Sequence, residues 1–258
     1  MTASDTVLEL VNVSKTFRDF WLRPTVKAVD GLDLSIKRGE VFALLGPNGS
    51  GKSTTIKMIL SLLKPDSGSV KLFSLDPSNP EARKRIGYLP ELSYLHPFLT
   101  ARETLEYHAG LCSLKRSTAK KRTSELLEMV GLANVASRTV GGFSKGMARR
   151  IALAASLIGK PDFLILDEPT SGLDPVSTDE VKTLIKTLAK GGMTILTTSH
   201  LLADAEDICE SFMILDKGKC AAQGQIGDIK GSLQDYFLSK VGEKRSFTIA
   251  PFLAEEAK

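Results

Sequence analysis

The chain has 258 residues, 42% of them hydrophobic and 25% charged, and a net charge of +4. That balance excludes low-complexity disorder and allows one large globular core. The slight basicity, without interleaved aromatic residues, gives no footing for a nucleic-acid partner, and 3 cysteines outside metal-ligand spacing exclude a disulfide framework.

Val7–Val13 alternates apolar and polar residues and reads as an edge strand. The segment Phe20–Lys27, with Trp21 and Pro24, reads as a turn or loop. A second strand, Leu32–Ile36, turns through Lys37–Glu40 into the apolar run Val41–Leu45. The run Gly46-Pro-Asn-Gly-Ser-Gly-Lys-Ser-Thr54 follows at once and opens a helix expected to reach about Leu63. Strand, glycine loop and helix together form the context of a phosphate-binding loop. Gly46, Gly49 and Gly51 let the backbone around Pro47, Asn48 and Ser50 curl so that its N–H groups converge on an anion. The helix N-terminus beginning near Thr54 adds partial positive charge. Lys52 supplies a point charge for the β- and γ-phosphates, and the Ser53 hydroxyl suits Mg²⁺.

Val70–Phe73 and Ile86–Leu89 read as further strands. From Leu92 to Val140 the periodicity is helical, notably over Thr100–Cys112 and Thr118–Val130, so this stretch reads as an insertion in an α/β core. Short apolar runs return at Phe163–Leu166, Met193–Thr198 and Phe212–Leu215, each consistent with a strand buried on both faces of a parallel sheet. Helices Val176–Ala189 and Leu201–Ile208 complete βαβ units. Lys219–Gln223 and Ile226–Leu238 read as a hairpin strand and a helix. A single domain over 1–240 is expected, with a helical subdomain at about 92–160 and a short tail over 241–258. The first five residues do not read as a signal peptide, and no apolar run is long enough to span a membrane.

Asp167 and Glu168 end the apolar run Phe163–Leu166. In a protein with a phosphate loop, Asp167 suits Mg²⁺, directly or through water, and Glu168 suits acceptance of a proton from an attacking water. His200 closes the run Thr197-Thr-Ser-His200 at a strand end expected on the same edge of the sheet, where it suits the γ-phosphate. His96 and His108 lack such a position and receive no role. The basic stretches Arg83–Arg85 and Lys120–Arg122 read as solvated surfaces.

The chain resembles the ATP-binding cassette subunit of ABC transporters. Five ordered motifs carry the resemblance: Gly46–Thr54, Tyr88-Leu-Pro-Glu91, Phe143-Ser-Lys-Gly-Met147, Leu166–Pro169 with Ser171-Gly-Leu-Asp174, and His200. The resemblance implies an α/β fold: a P-loop NTPase core with a mainly parallel sheet, N-terminal antiparallel β strands and an inserted α-helical subdomain. It implies ATP and Mg²⁺ as ligands, with Lys52, Glu168 and His200 catalytic and Ser53, Asp167 and Glu91 at the metal. It also implies a second cassette, a homodimer being favoured over a heterodimer, in which Ser144 and Gly146 contact the γ-phosphate on the partner and Asp174 links the two sites.

Phe17 best matches the family's adenine-stacking position, with Phe20 and Trp21 as rivals. Lys145 and Met147 replace the family's usual glycine and glutamine, and Lys145 is expected to point to solvent. Glu91 stands where the family usually has glutamine. With Ser-Lys-Gly it resembles the branch paired with ABC-2-type export permeases. That implies a cytoplasmic ATPase held peripherally at the membrane by a separate permease chain, which the region after Glu91 would contact. The alternative is a soluble cassette ATPase serving cofactor assembly.

Overall fold

The structure, a computed structural model, describes residues 5–18 and 24–241. In chain order the elements are β1 (Thr6–Arg18), β2 (Pro24–Lys37), β3 (Val41–Leu45), α1 (Lys52–Ile59), β4 (Ser67–Leu72), α2 (Pro80–Arg83) and β5 (Ile86–Leu89). The helices α3 (Ala101–Leu111), α4 (Arg116–Met129) and α5 (Lys145–Leu157) follow. The chain continues through β6 (Phe163–Asp167), α6 (Pro175–Lys190), β7 (Thr194–Ser199), α7 (Leu202–Ile208), β8 (Ser211–Asp216), β9 (Lys219–Gln225) and α8 (Leu233–Val241).

Two sheets result. A 3-stranded antiparallel sheet has the order β2-β1-β4, and a 6-stranded sheet has the order β5-β6-β7-β3-β8-β9. The larger sheet is parallel except for β9, which returns antiparallel to β8. Its central strands β3, β6 and β7 are buried at every position, as their unbroken apolar and threonine runs require. Alternation divides β3 between two cores. Phe42 and Leu44 face the antiparallel sheet and α1, with Leu8, Leu32, Ile56 and Met213. Val41, Ala43 and Leu45 face the other layer, with Leu153, Val181, Ile185 and Ala205. A third apolar cluster joins α3, α4 and α5 through Ala101, Leu105, Leu127 and Ile151. The capping box of Thr100 and Glu103 starts α3, which fixes where the helical stretch turns inward.

Several expectations need correction. β1 lies at the centre of its sheet, not at an edge, because β4 pairs with its free side. β2 begins at Pro24, so Pro24–Lys27 is strand, whereas Phe20–Arg23 lies outside the described residues. α1 stops at Ile59 rather than near Leu63, and Ser61 turns to φ 56 before Pro65 is reached. The expected helix over Ile226–Leu238 is a 3₁₀ turn at Ile226–Asp228 followed by α8 from Leu233. Gly231, at φ 97, accounts for the interruption.

Candidate active site

The order β6-β7-β3 brings three strand ends side by side. Leu45 pairs with Ser199, and Asp167 with Thr198, so the chain leaves all three strands at one level. From β3 it enters the glycine loop. The glycines at the two ends of this loop are dictated by crowding. A Cβ on Gly51 (φ +112) would lie 2.4 Å from the Ala28 carbonyl oxygen, and one on Gly46 2.4 Å from that of Leu215. Lys52 opens α1 and is buried. Its Nζ donates to the carbonyls of Gly46 at 2.6 Å and Pro47 at 3.2 Å. Burial lowers the Lys52 pKa, and the charges of Glu168, Asp167 and Glu91 oppose that shift. A phosphate oxygen is a stronger acceptor than either carbonyl, so the ammonium is held beside the place an anion would take.

Opposite the loop, Asp167 Oδ1 accepts from Thr198 Oγ1 at 2.6 Å. Glu168 takes the left-handed backbone conformation, φ 48, which costs a residue with a Cβ about 1–2 kcal/mol. Its N–H, its carbonyl and one carboxylate oxygen are each held. The N–H donates to Thr198 Oγ1 at 3.0 Å, and the carbonyl accepts from Arg149 Nη2 at 2.8 Å. Its Oε2 lies 2.7 Å from His200 Nδ1 and accepts from the His200 N–H at 3.2 Å. An ionised carboxylate only accepts, so Nδ1 carries the hydrogen in this contact. Strain that its surroundings over-determine in this way is characteristic of functional positions. Tyr88, on β5, has its phenol pushed up to about 12, by burial first and then by the Asp167 carboxylate beside it.

A cavity of about 650 Å³ joins these groups. Phe17, Asn48, Gly49, Ser50, Gly51, Lys52, Ser53, Thr54, Glu91, Asp167, Glu168 and His200 line it. Phe17 is half exposed and paired with Val26 at the cavity mouth; Phe20 and Trp21 lie outside the described residues. Gly46 and Pro47 belong to the loop without lining the cavity.

Ser144, Gly146 and Asp174 are absent from this cavity. Ser144 is the N-cap of α5, its Oγ accepting from the Met147 N–H at 3.2 Å. Asp174 is the N-cap of α6, its carboxylate accepting from Ser177 N at 3.0 Å and Ser177 Oγ at 2.6 Å. Those two bonds hold its pKa below the usual value. Gly146 packs on the same serine, where a Cβ would come within 2.1 Å of Ser177 Oγ. The start of α5 and the start of α6 are thus joined through one residue. Lys145 is exposed.

The family model described as ABC transporter matches residues 29–171, more than half of the chain. This chain belongs to the ABC transporter family. It is an ATPase cassette of that family. Among its relatives is a linearmycin resistance ATP-binding protein of Bacillus subtilis, 42% identical over 78% of this chain and 65% of that protein. A daunorubicin/doxorubicin resistance ATP-binding protein of Streptomyces peucetius is 39% identical over 80% of this chain and 63% of that one. The cassette therefore spans just under two thirds of these relatives' lengths. A dimeric ATP-binding cassette solved in a post-hydrolysis state with ADP and phosphate superposes with a TM-score of 0.75. It is 28% identical, over 85% of this chain and 98% of that one.

Three residues around the cavity received no role in the sequence reading. Thr198 bridges Asp167 and the Glu168 backbone, and Tyr88 flanks Asp167. Arg149 is 7% exposed and donates to the carbonyls of Pro90, Glu91, Asp167, Glu168 and Pro169. A signal for it existed. Arg149 stands three residues after Gly146 and four before Leu153, on the helix face that is buried.

Proposed function

We propose that this cassette couples ATP hydrolysis to export through a separate membrane permease. The observation that carries this reading is the held Glu168 carboxylate, at a strand end across one cavity from Lys52. In the proposed reaction the glycine loop and Lys52 hold the β- and γ-phosphates. A water attacks the γ-phosphorus in line with the leaving oxygen, and Glu168 accepts the proton from that water. The bond to the β-phosphate oxygen breaks, giving ADP and phosphate. His200 holds the γ-phosphate through ring Nε2, the nitrogen that faces away from its Glu168 contact. Phe17 stacks on the adenine.

Mg²⁺ fits the residues present. The exposed Ser53 hydroxyl and the Asp167 carboxylate line one cavity, with Glu91 as a third oxygen donor there. Few protein ligands suffice, because Mg²⁺ keeps waters and takes phosphate oxygens. When bound it would neutralise charge on the phosphates.

The proposed assembly is a head-to-tail pair of cassettes, identical copies being favoured. Ser144, Gly146 and Asp174 lie outside the cavity that holds their own Lys52, which supports a role in a partner's site. The proposed permease contact is the groove along β5, α3 and α5, lined by Tyr88, Tyr94, His108 and Leu111. Leu92, Tyr94, Phe98 and Leu111 stand exposed around it. Among the described residues no helix is long and apolar enough to cross a membrane; the proposed attachment is through the permease. The cytoplasmic face is the proposed location, and the resistance relatives support export as the direction. The helical subdomain proposed at about 92–160 carries one wall of the groove, through α3 and α5, and Ser144.

The deciding experiment uses the Glu168→Gln variant, which is expected to bind ATP and to turn over at less than about 1% of the wild-type rate. Tagged and ATP-bound, it is expected to bring down a polytopic membrane protein in stoichiometric amount from detergent extracts. Near-normal turnover sinks the base assignment, and a soluble partner alone sinks the transporter.

A further inference from the structure

The guanidinium of Arg149 occupies an unusual place. It is buried, and its partners are five main-chain carbonyls and one hydroxyl, with no carboxylate among them. Nη1 donates to Pro90 O at 2.5 Å, Glu91 O at 3.1 Å and Ser93 Oγ at 3.1 Å. Nη2 donates to Asp167 O at 2.7 Å and Glu168 O at 2.8 Å, and Nε to Pro169 O at 2.9 Å. Burial lowers its pKa to about 10, which leaves it charged at neutral pH. Each edge of the planar fork faces one segment: the loop that bears Glu91 on one side, the strand end that bears Asp167 and Glu168 on the other. Lysine has no such fork, since its donors radiate from one point.

The backbone of Glu168 gives this contact a consequence. Its φ of 48 is disfavoured and is kept only by what grips it. Thr198 grips the N–H, and the carbonyl accepts from Arg149 Nη2 at 2.8 Å and from the Ser171 N–H at 3.2 Å. Released from Arg149, the carbonyl keeps only the longer bond from Ser171, so the residue has a route back to ordinary backbone angles and its carboxylate can point elsewhere.

We propose that Arg149 is a positioning residue for hydrolysis: it clamps the Glu91 loop to the end of β6 and thereby sets where the Glu168 carboxylate stands. The proposal rests on the reading of Glu168 as the base. Arg149 itself touches no substrate. It lies on the same helix as Ser144, so a displacement of α5 reaches Glu168 through one side chain.

The test is a double-mutant cycle in the full-length chain. Arg149→Gln and Arg149→Lys are made alone and in the Glu168→Gln background, and kcat, KM for ATP and residual single-turnover hydrolysis are measured. Arg149→Gln alone is expected to lower kcat by at least about 10-fold while KM stays within about threefold, because Lys52 and the glycine loop are untouched. Arg149→Lys is expected to recover part of the loss. In the Glu168→Gln background either change is expected to cost less than about twofold, the signature of two residues acting as a unit.

Equal losses in both backgrounds would mean a general structural role and overturn the proposal, as would an unchanged kcat. Should Arg149→Gln not fold, the Arg149→Lys cycle decides by the same criteria. A wild-type chain without ATPase activity, or an active Glu168→Gln, breaks the underlying reading. An inactive Glu168→Gln beside fully active Arg149 variants breaks this proposal alone.

Discussion

At Glu168 the demands of chemistry and of backbone comfort oppose each other. Glycine adopts φ 48 freely, whereas glutamine keeps the strain. Glu168→Gly is therefore expected to be about 1 kcal/mol more stable in urea unfolding than Glu168→Gln, with both inactive. A second single-atom constraint sits at Gly146. A Cβ there would press to 2.1 Å from Ser177 Oγ and 2.5 Å from Ser177 Cβ. Gly146→Ala is expected to cost about 1–3 kcal/mol by overpacking, and Ser177→Gly in that background to restore part of it, as read by thermal melting. At this scale the sequence pointed to Lys52, Asp167, Glu168 and His200, which sit in local patterns whose chemistry is legible, and the structure brings all four to one cavity. It did not reveal Arg149, Thr198 or Tyr88. Those residues act by touching backbone or a neighbour's carboxylate, and such contacts exist only once distant segments are brought together.

Among the elements, α6 and α7 are tied by charge. Asp207 pairs with Lys182 and with Lys186 at 2.6 Å each, and Asp204 accepts from Thr170 Oγ1 at 2.7 Å. The two lysines hold Asp207 below its ordinary pKa of 3.8. A lowered carboxylate contributes stability that is complete above the ordinary value and is lost as the pH falls through the lower, folded one. Because Asp207 is largely exposed, the contribution is at most about 1 kcal/mol and weakens in salt. Asp207→Asn is expected to be less stable than wild type at pH 7 in low salt and to converge with it as the pH falls below the lowered value of the folded state, as followed by urea melts across pH. Element type was readable along most of the chain, since β3, β6 and β7 are short apolar runs and α6 shows helical periodicity. The central position of β1 was not, because alternation records one buried face and says nothing of a partner on the far edge. The end of α1 was also misread. Pro65 marks the latest place a helix must stop, whereas Ser61 stops it earlier.

For the whole molecule, the decisive geometry is the separation of the glycine-loop cavity from the start of α5. The cavity holds Lys52 and Glu168, and the Ser144 helix start lies apart from it. Sedimentation of Glu168→Gln is expected to show one copy without nucleotide and two with ATP and Mg²⁺, whereas Lys52→Met stays single under both conditions. ATP-independent pairing of both variants would count against closure around nucleotide. The sheet order carries a different consequence, for how the chain is made. Among the described residues β3 pairs only with β7 and β8. A nascent chain on the ribosome thus carries Val41–Leu45 with both edges open until residues 194–216 have been synthesised, and open apolar strands invite wrong partners. Chains truncated before Thr194 are expected to aggregate, and ATP cannot rescue them, because Asp167, Glu168 and His200 reach the glycine loop only across β7. Nucleotide can reward the finished fold, but it cannot chaperone the first half of the chain.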